Sequence, residues 1–181
     1  MIPPVFRRIV LVGFMGAGKT SVGQQLSSRL GWRFVDLDEE LVARSGLSID
    51  EWFDACGEAA FRKEESALAR ELLASSDLVL ASGGGWAVGP DRLVKLPPGT
   101  LSVWLDVDAE EAVRRVEKSS VSRPLLRGSA PENEARRLME ARWSAYAEAQ
   151  IRVDTNGQSV EDVTSRILEI LENEGTRAAP E

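Results

Sequence analysis

Residues 13–20 read GFMGAGKT, which satisfies the pattern G-x-x-x-x-G-K-[ST]. A β-branched run, RIVLV at 8–12, precedes it, and residues 21–30 follow with Val22, Leu26 and Leu30 on one helical face. A strand, a glycine loop and a helix in that order leave few folds open. Glycines let the backbone wrap a phosphate group with its amides turned inward, and the helix's amino end adds partial positive charge. Gly13, Gly16, Ala17, Gly18, Lys19, Thr20 and Ser21 are therefore candidate ATP-binding residues. Lys19 can reach the β- and γ-phosphates, and the Thr20 hydroxyl can ligate Mg2+. A bare glycine turn would satisfy the same letters, but it does not explain the flanking elements. Gly23 lies inside the predicted helix, where glycine costs about 1 kcal/mol against alanine, and close packing on the sheet is the expected reason.

The rest of the chain alternates in the same way. Residues 32–37, 78–81, 101–107 and 151–153 read as strands. Residues 39–44, 48–74, 90–95, 109–117, 132–149 and 160–171 read as helices, with a capping box at Ser48 and Glu51 and a break at Gly57. Strands alternating with helices predict an α/β fold with a mainly parallel sheet, which binds ligands beyond the carboxyl ends of its strands. A chain of 181 residues suits one domain, expected over residues 1–175 with a flexible tail at 176–181. Residues 118–131 have weak periodicity and several Ser, Pro and Gly residues, and are expected to form a mobile lid.

Composition removes several function classes. The net charge is -7, which argues against duplex nucleic acid as a partner, although local arginines can still bind a small anion. Histidine is absent, so no imidazole base or histidine metal ligand can operate. Cys56 is the one cysteine, which rules out an intrachain disulfide and fits a reducing compartment. No apolar run approaches the roughly 20 residues that span a bilayer, and the first residues lack a signal-peptide core. A cytoplasmic protein without membrane partners is expected.

The remaining candidates cluster at predicted strand ends. Asp36 and Asp38 flank Leu37, and strand alternation would aim both the same way, one toward Mg2+ and one toward an acceptor hydroxyl. Asp38 can equally cap the next helix. Arg62 and Glu65, at i and i+3, can be a surface ion pair or part of a site. Gly83, Gly84 and Gly85 permit either a plain turn or close approach of a ligand. Trp86 directly follows them and is expected to line or border the acceptor pocket, against the alternative of a core tryptophan. Arg123 lies in the expected lid, where it can stabilise a transferring phosphate or simply be solvated.

Taken together, GFMGAGKTSVG from Gly13, DLD from Asp36, SIDEWF from Ser48, GEAAFRKEE from Gly57, GGG from Gly83, SRPLL from Ser122 and VDTN from Val153 resemble the shikimate kinase family. They keep the family's order over most of the chain. The resemblance implies a three-layer α/β/α fold with a five-stranded parallel sheet, of the P-loop NTPase, nucleoside-monophosphate-kinase type. It implies transfer of the ATP γ-phosphoryl group to the 3-hydroxyl of shikimate by a monomer, with Mg2+ as cofactor. It places Lys19 and Thr20 at phosphate and Mg2+, Asp36 in the metal's outer shell, and Asp38 at the acceptor hydroxyls. Arg62 and Arg142 would hold the shikimate carboxylate, Gly84 and Gly85 would line the pocket, and Phe53, Phe61 and Glu65 would shape it, within an acceptor region at 36–65. Arg123 would be the lid arginine, and Arg115 would lie near adenine. Trp86 departs from the small residue expected there. A relative that phosphorylates another hydroxy acid, such as gluconate, is the alternative.

Overall fold

Every residue of β1 (Arg8–Val12) beyond its first is fully buried, as a parallel strand covered on both faces requires. In this computed structural model, residues 6–90, 92–118 and 130–177 are described. β1 is the centre of a five-stranded sheet completed by β2 (Arg33–Asp36), β3 (Leu78–Ala81), β4 (Thr100–Asp106) and β5 (Ile151–Asp154), in the order β2-β3-β1-β4-β5. All four pairings are parallel. Helices α1 (Lys19–Leu30), α2 (Leu37–Ser45), α3 (Ile49–Leu72), α4 (Ala109–Lys118), α5 (Pro131–Tyr146) and α6 (Val160–Arg177) complete the fold. It is the three-layer architecture that the sequence implied.

Alternate residues of β1 feed two cores. Ile9 and Leu11 pack with Val22 and Leu26 of α1 and Ile167 of α6. Val10 and Val12 pack on the other face with Leu41, Phe61, Leu68 and Tyr146. Leu11 pairs with Ala81 of β3, and Ala81 pairs with Asp36 of β2. The carboxyl ends of these three strands are therefore level, and the loops that leave them converge.

Gly23 explains how closely α1 lies on the sheet. A Cβ there would stand 2.4 Å from Phe34 Cε2 and 3.3 Å from Leu11 Cδ1. Gly23→Ala should thus destabilise the fold by about 1–2 kcal/mol, overpacking outweighing the gain in helix propensity. Chemical denaturation measures this, and a variant at least as stable as the parent would contradict it.

Local signals set the helix ends. The Ser48 side chain accepts from the Glu51 amide while the Glu51 carboxylate accepts from the Ser48 amide, the expected capping box. Gly57, with φ 78° and ψ 162°, breaks the helical path within α3. Other expectations need correction. β2 ends at Asp36 and α2 begins at Leu37, so Asp38 lies in a helix and strand alternation does not govern it. Asp36, not Asp38, caps α2: its Oδ1 accepts from the amides of Asp38 and Glu39 at 3.1 and 3.3 Å. The described residues of 90–95 form turns instead of a helix, and a 3-10 turn at Trp86–Val88 precedes them. α5 stops at Tyr146, short of 149, and α6 continues past 171 through Arg177, into residues assigned to the tail.

Candidate active site

The loop between β1 and α1 takes the backbone path that its glycines allow. Gly13, Gly16 and Gly18 have φ of 142°, 79° and 91°, values that side chains rarely adopt. Space forbids a side chain as well, because a Cβ at Gly13 would meet the Leu105 carbonyl oxygen at 2.4 Å. Gly18 is the N-cap of α1 and supplies no side-chain cap, so the helix's amino end remains available to an anion. Ala17 is buried beneath the loop and Ser21 is exposed on α1. Lys19 Nζ donates to the carbonyls of Gly13 at 2.9 Å and Phe14 at 3.0 Å, which holds the ammonium over the loop. Thr20 Oγ1 donates to Asp36 Oδ2 at 2.7 Å. Asp36 thus joins the loop to the start of α2 with one oxygen for each.

The glycine triplet after β3 is where the other candidates meet. A Cβ at Gly83 would lie 2.5 Å from Asp38 Oδ1 and 2.9 Å from Glu65 Oε1. A Cβ at Gly85 would lie 2.5 Å from Arg62 Nη2. These are close approaches of the protein's own side chains to the triplet. Gly84 faces the phosphate loop, with the position of its absent Cβ 3.7 Å from the Met15 amide nitrogen and 3.6 Å from Arg142 Nη1. Arg142 Nη1 and the Tyr146 hydroxyl both donate to the Gly84 carbonyl. Three helices, α2, α3 and α5, therefore deliver Asp38, Glu65, Arg62 and Arg142 to one short segment, beside the loop that carries Lys19.

Glu65 is not half of a surface ion pair. It is completely buried, and Arg62 Nη1 donates to its two oxygens at 3.2 and 3.0 Å. Burial pushes the Glu65 carboxyl above its ordinary range, while Arg62 pulls it back. Arg62 lies over the Phe61 ring, which packs in turn on Phe53 with centroids 4.9 Å apart. The aromatic residues of α3 therefore brace the arginine from below.

Arg115 ties the phosphate loop to the turn after β5. Its Nη1 donates to the Gly16 carbonyl at 3.2 Å, and its Nη2 to the Thr155 carbonyl at 2.6 Å. Arg123 and residues 119–129 of the expected lid lie outside the described residues. Trp86, expected at the pocket, is 3% exposed and belongs to the core shared with Phe61 and Tyr146.

The shikimate kinase family profile matches residues 15–172. The chain belongs to the shikimate kinase family. The shikimate kinase of Geobacter sulfurreducens is 43% identical over 166 residues, covering 92% of this chain and 91% of that one. The shikimate kinase of Paramagnetospirillum magneticum is 44% identical over 165 residues, covering 91% of this chain and 84% of that one. The structure of the Acinetobacter baumannii shikimate kinase in complex with shikimate superimposes with a TM-score of 0.85 at 34% identity, over 93% and 94% of the two chains. A gluconokinase from Sinorhizobium meliloti has a TM-score of 0.61 at 20% identity, over 97% and 99% of the two chains, a likeness of fold alone.

Within this shikimate kinase framework, the sequence reading missed three supports. Tyr146 sits four residues after Arg142 on α5 and reaches the same carbonyl, a helical spacing that could have revealed it. The Phe14 ring lies 5.8 Å from Arg142 Cζ, so the phosphate loop itself steadies that arginine. Glu58 accepts from Arg62 Nη2 at 3.4 Å, at i, i+4 just after the break at Gly57.

Proposed function

We propose that this chain transfers the γ-phosphoryl group of ATP to the 3-hydroxyl of shikimate, giving shikimate 3-phosphate and ADP for aromatic amino acid biosynthesis. The observation that carries this reading is the glycine triplet. It brings a carboxylate, Asp38, and two arginines, Arg62 and Arg142, beside a complete phosphate loop. A hydroxylated carboxylic acid needs those charges: arginine forks for its carboxylate and an acceptor for its hydroxyl proton.

Gly13, Gly16, Ala17, Gly18, Thr20 and Ser21 surround the phosphates, and Arg115 borders adenine. Lys19 neutralises charge on the β- and γ-phosphates. Asp38 orients the 3-hydroxyl, whose oxygen forms the new bond to the γ-phosphorus as the bond to the β-bridging oxygen breaks. The hydroxyl proton leaves through Asp38 or to solvent, since phosphoryl transfer depends mainly on position and electrostatics. Gly84 and Gly85 let the acceptor approach the backbone. Arg123 closes over the transferring group from a lid at 118–131, within one domain spanning 1–175. The protein acts as a cytoplasmic monomer without nucleic-acid or membrane partners. Among the described residues, no helix is long and apolar enough to cross a membrane.

The residues present fit Mg2+. Thr20 Oγ1 and Asp36 are hard oxygen donors held together at 2.7 Å. Among the described residues no group of three or more His, Cys, Asp or Glu could hold a metal ion. That suits an ion which keeps waters and phosphate oxygens in its shell. Thr20 would ligate it, Asp36 would hold its water, and the bound ion would supply charge neutralisation on the phosphates.

The test is ADP release with MgATP and a panel of hydroxy acids. Shikimate should support turnover and gluconate should not; the reverse result overturns the reading. Arg142→Ala should then lower kcat/KM for shikimate about tenfold to a few hundredfold, the worth of a charge-assisted bond. It should cost little with an analogue whose carboxylate is an amide. Arg62→Ala should do the same, with an added loss of stability because Glu65 would remain buried without its guanidinium. Equal losses with both compounds would mean that the arginines do not hold the carboxylate.

A further inference from the structure

Arg142 reaches from α5 to the Gly84 carbonyl at 3.1 Å, with the Phe14 ring 5.8 Å from its Cζ. An arginine side chain has many rotamers, and it binds a small carboxylate better when its position is set beforehand. Under the proposed function, which this inference deepens, whatever fixes α5 at Arg142 therefore bears on acceptor binding. Close packing on the sheet does not do this alone. A cleft of about 210 Å3 lies between the sheet and α5, lined by Phe14, Trp104, Met139, Trp143, Tyr146 and Arg152.

Aromatic contacts bridge this cleft. Trp104 of β4 meets two residues of α5, its ring centroid 4.7 Å from that of Trp143 and 5.9 Å from that of Tyr146. Trp143 directly follows Arg142, and Tyr146, one turn on, donates to the same Gly84 carbonyl as Arg142. Arg152 of β5 stands opposite Trp104 in the strand register. Its Cζ lies 4.6 Å from the Trp104 ring centroid and 5.1 Å from that of Trp143, so one guanidinium touches a strand ring and a helix ring together. Its Nε and Nη2 both donate to Asp106 Oδ2, at 3.0 and 2.6 Å, which ties the guanidinium to β4. Trp143 is 43% exposed and the Arg152 side chain 57%, so neither belongs to the core. An exposed ion pair contributes little by itself, and what this one does is set where the guanidinium lies.

We propose that Arg152 is a positioning residue for the acceptor: tied to Asp106 and laid against Trp104 and Trp143, it clasps α5 to the edge of the sheet and so holds Arg142 where it meets the acceptor's carboxylate. The contacts are continuous, from Asp106 through Arg152 and the two indoles to the residue beside Arg142. Without the guanidinium, α5 shifts over the cleft beneath it, Arg142 loses its fixed approach, and acceptor binding weakens. The nucleotide side keeps its geometry, because Lys19 is held by the Gly13 and Phe14 carbonyls and Arg115 by those of Gly16 and Thr155.

Steady-state kinetics with MgATP and shikimate test this, beginning with the parent protein. No parent turnover on shikimate would overturn the proposed function itself, a result distinct from those that follow. With an active parent, R152Q should raise KM for shikimate about fivefold, with kcat within about twofold and KM for ATP unchanged. With an acceptor analogue whose carboxylate is an amide, R152Q should cost less than about twofold. In an R142A background it should likewise add less than about twofold, because Arg152 acts through Arg142. W143F, which keeps a ring against the guanidinium, should stay near the parent, and W143A should match R152Q. W143A carries the same expectations should R152Q fail to fold. A KM for shikimate that does not change, a matching loss on the ATP side or with the amide analogue, W143A at the parent's values, or full additivity with R142A would each overturn the role of Arg152.

Discussion

Lys19→Ala should lower kcat by about a thousandfold while the protein keeps its fold. The ammonium is fixed before any ligand arrives, by the carbonyls of Gly13 and Phe14 at 2.9 and 3.0 Å. Those contacts keep it at the loop proposed to receive the phosphates, close to where charge would move from the γ-group to the leaving oxygen. Alanine removes the charge and leaves the loop's path intact, because that path is set by the positive φ of Gly13, Gly16 and Gly18 and by packing against Leu105. Circular dichroism and the melting temperature should therefore match the parent within a few degrees. A folded variant with near-normal turnover would remove Lys19 from the mechanism.

The phosphate loop was legible because its requirements are local. Glycine at a positive φ, lysine after it and a hydroxyl next to that are fixed by spacing along one segment. The capping box at Ser48 and Glu51 and the break at Gly57 are legible for the same reason. Strand alternation does not govern Asp38 because the chain turns straight from strand into helix at Leu37. No residue separates the two elements, so the aspartate at the strand's last position becomes the cap. The other goes to the opposite side of Leu37, against Gly83, a contact 45 positions away that no local pattern encodes. The resemblance implies Asp38 on the acceptor side, and its place against Gly83 is one that strand alternation does not supply.

Burial was the least legible property. The i, i+3 spacing of Arg62 and Glu65 left a surface ion pair and a site open alike, and local spacing does not show that Glu65 is fully buried, with Gly83 close against it. Trp86 read as a pocket residue for the same reason: its position after three glycines predicts closeness to a ligand, but its ring turns into the core with Phe61.

Asp38→Asn should lower kcat by about a hundredfold to a thousandfold, leave the ATP affinity within about twofold, and fold at least as well as the parent. The three expectations have separate causes. Asparagine keeps the size of the side chain against Gly83 and removes the charge proposed to orient the acceptor hydroxyl. The nucleotide side is served by the other aspartate, which accepts from Thr20 with one oxygen and caps α2 with the other. Stability is decided by the neighbour. The charge of Asp38 acts against the buried Glu65 and contributes to raising its carboxyl, so neutralising Asp38 relieves a like-charge contact in a poorly solvated place. A residue that lowers stability and raises activity in this way is expected at a working site, not in a structural pair. Nucleotide titration, steady-state rates and thermal melts measure the three quantities on one preparation. If Asp38→Asn weakens ATP binding and leaves turnover intact, Asp38 belongs with the phosphates, and the acceptor's hydroxyl must be held by another group.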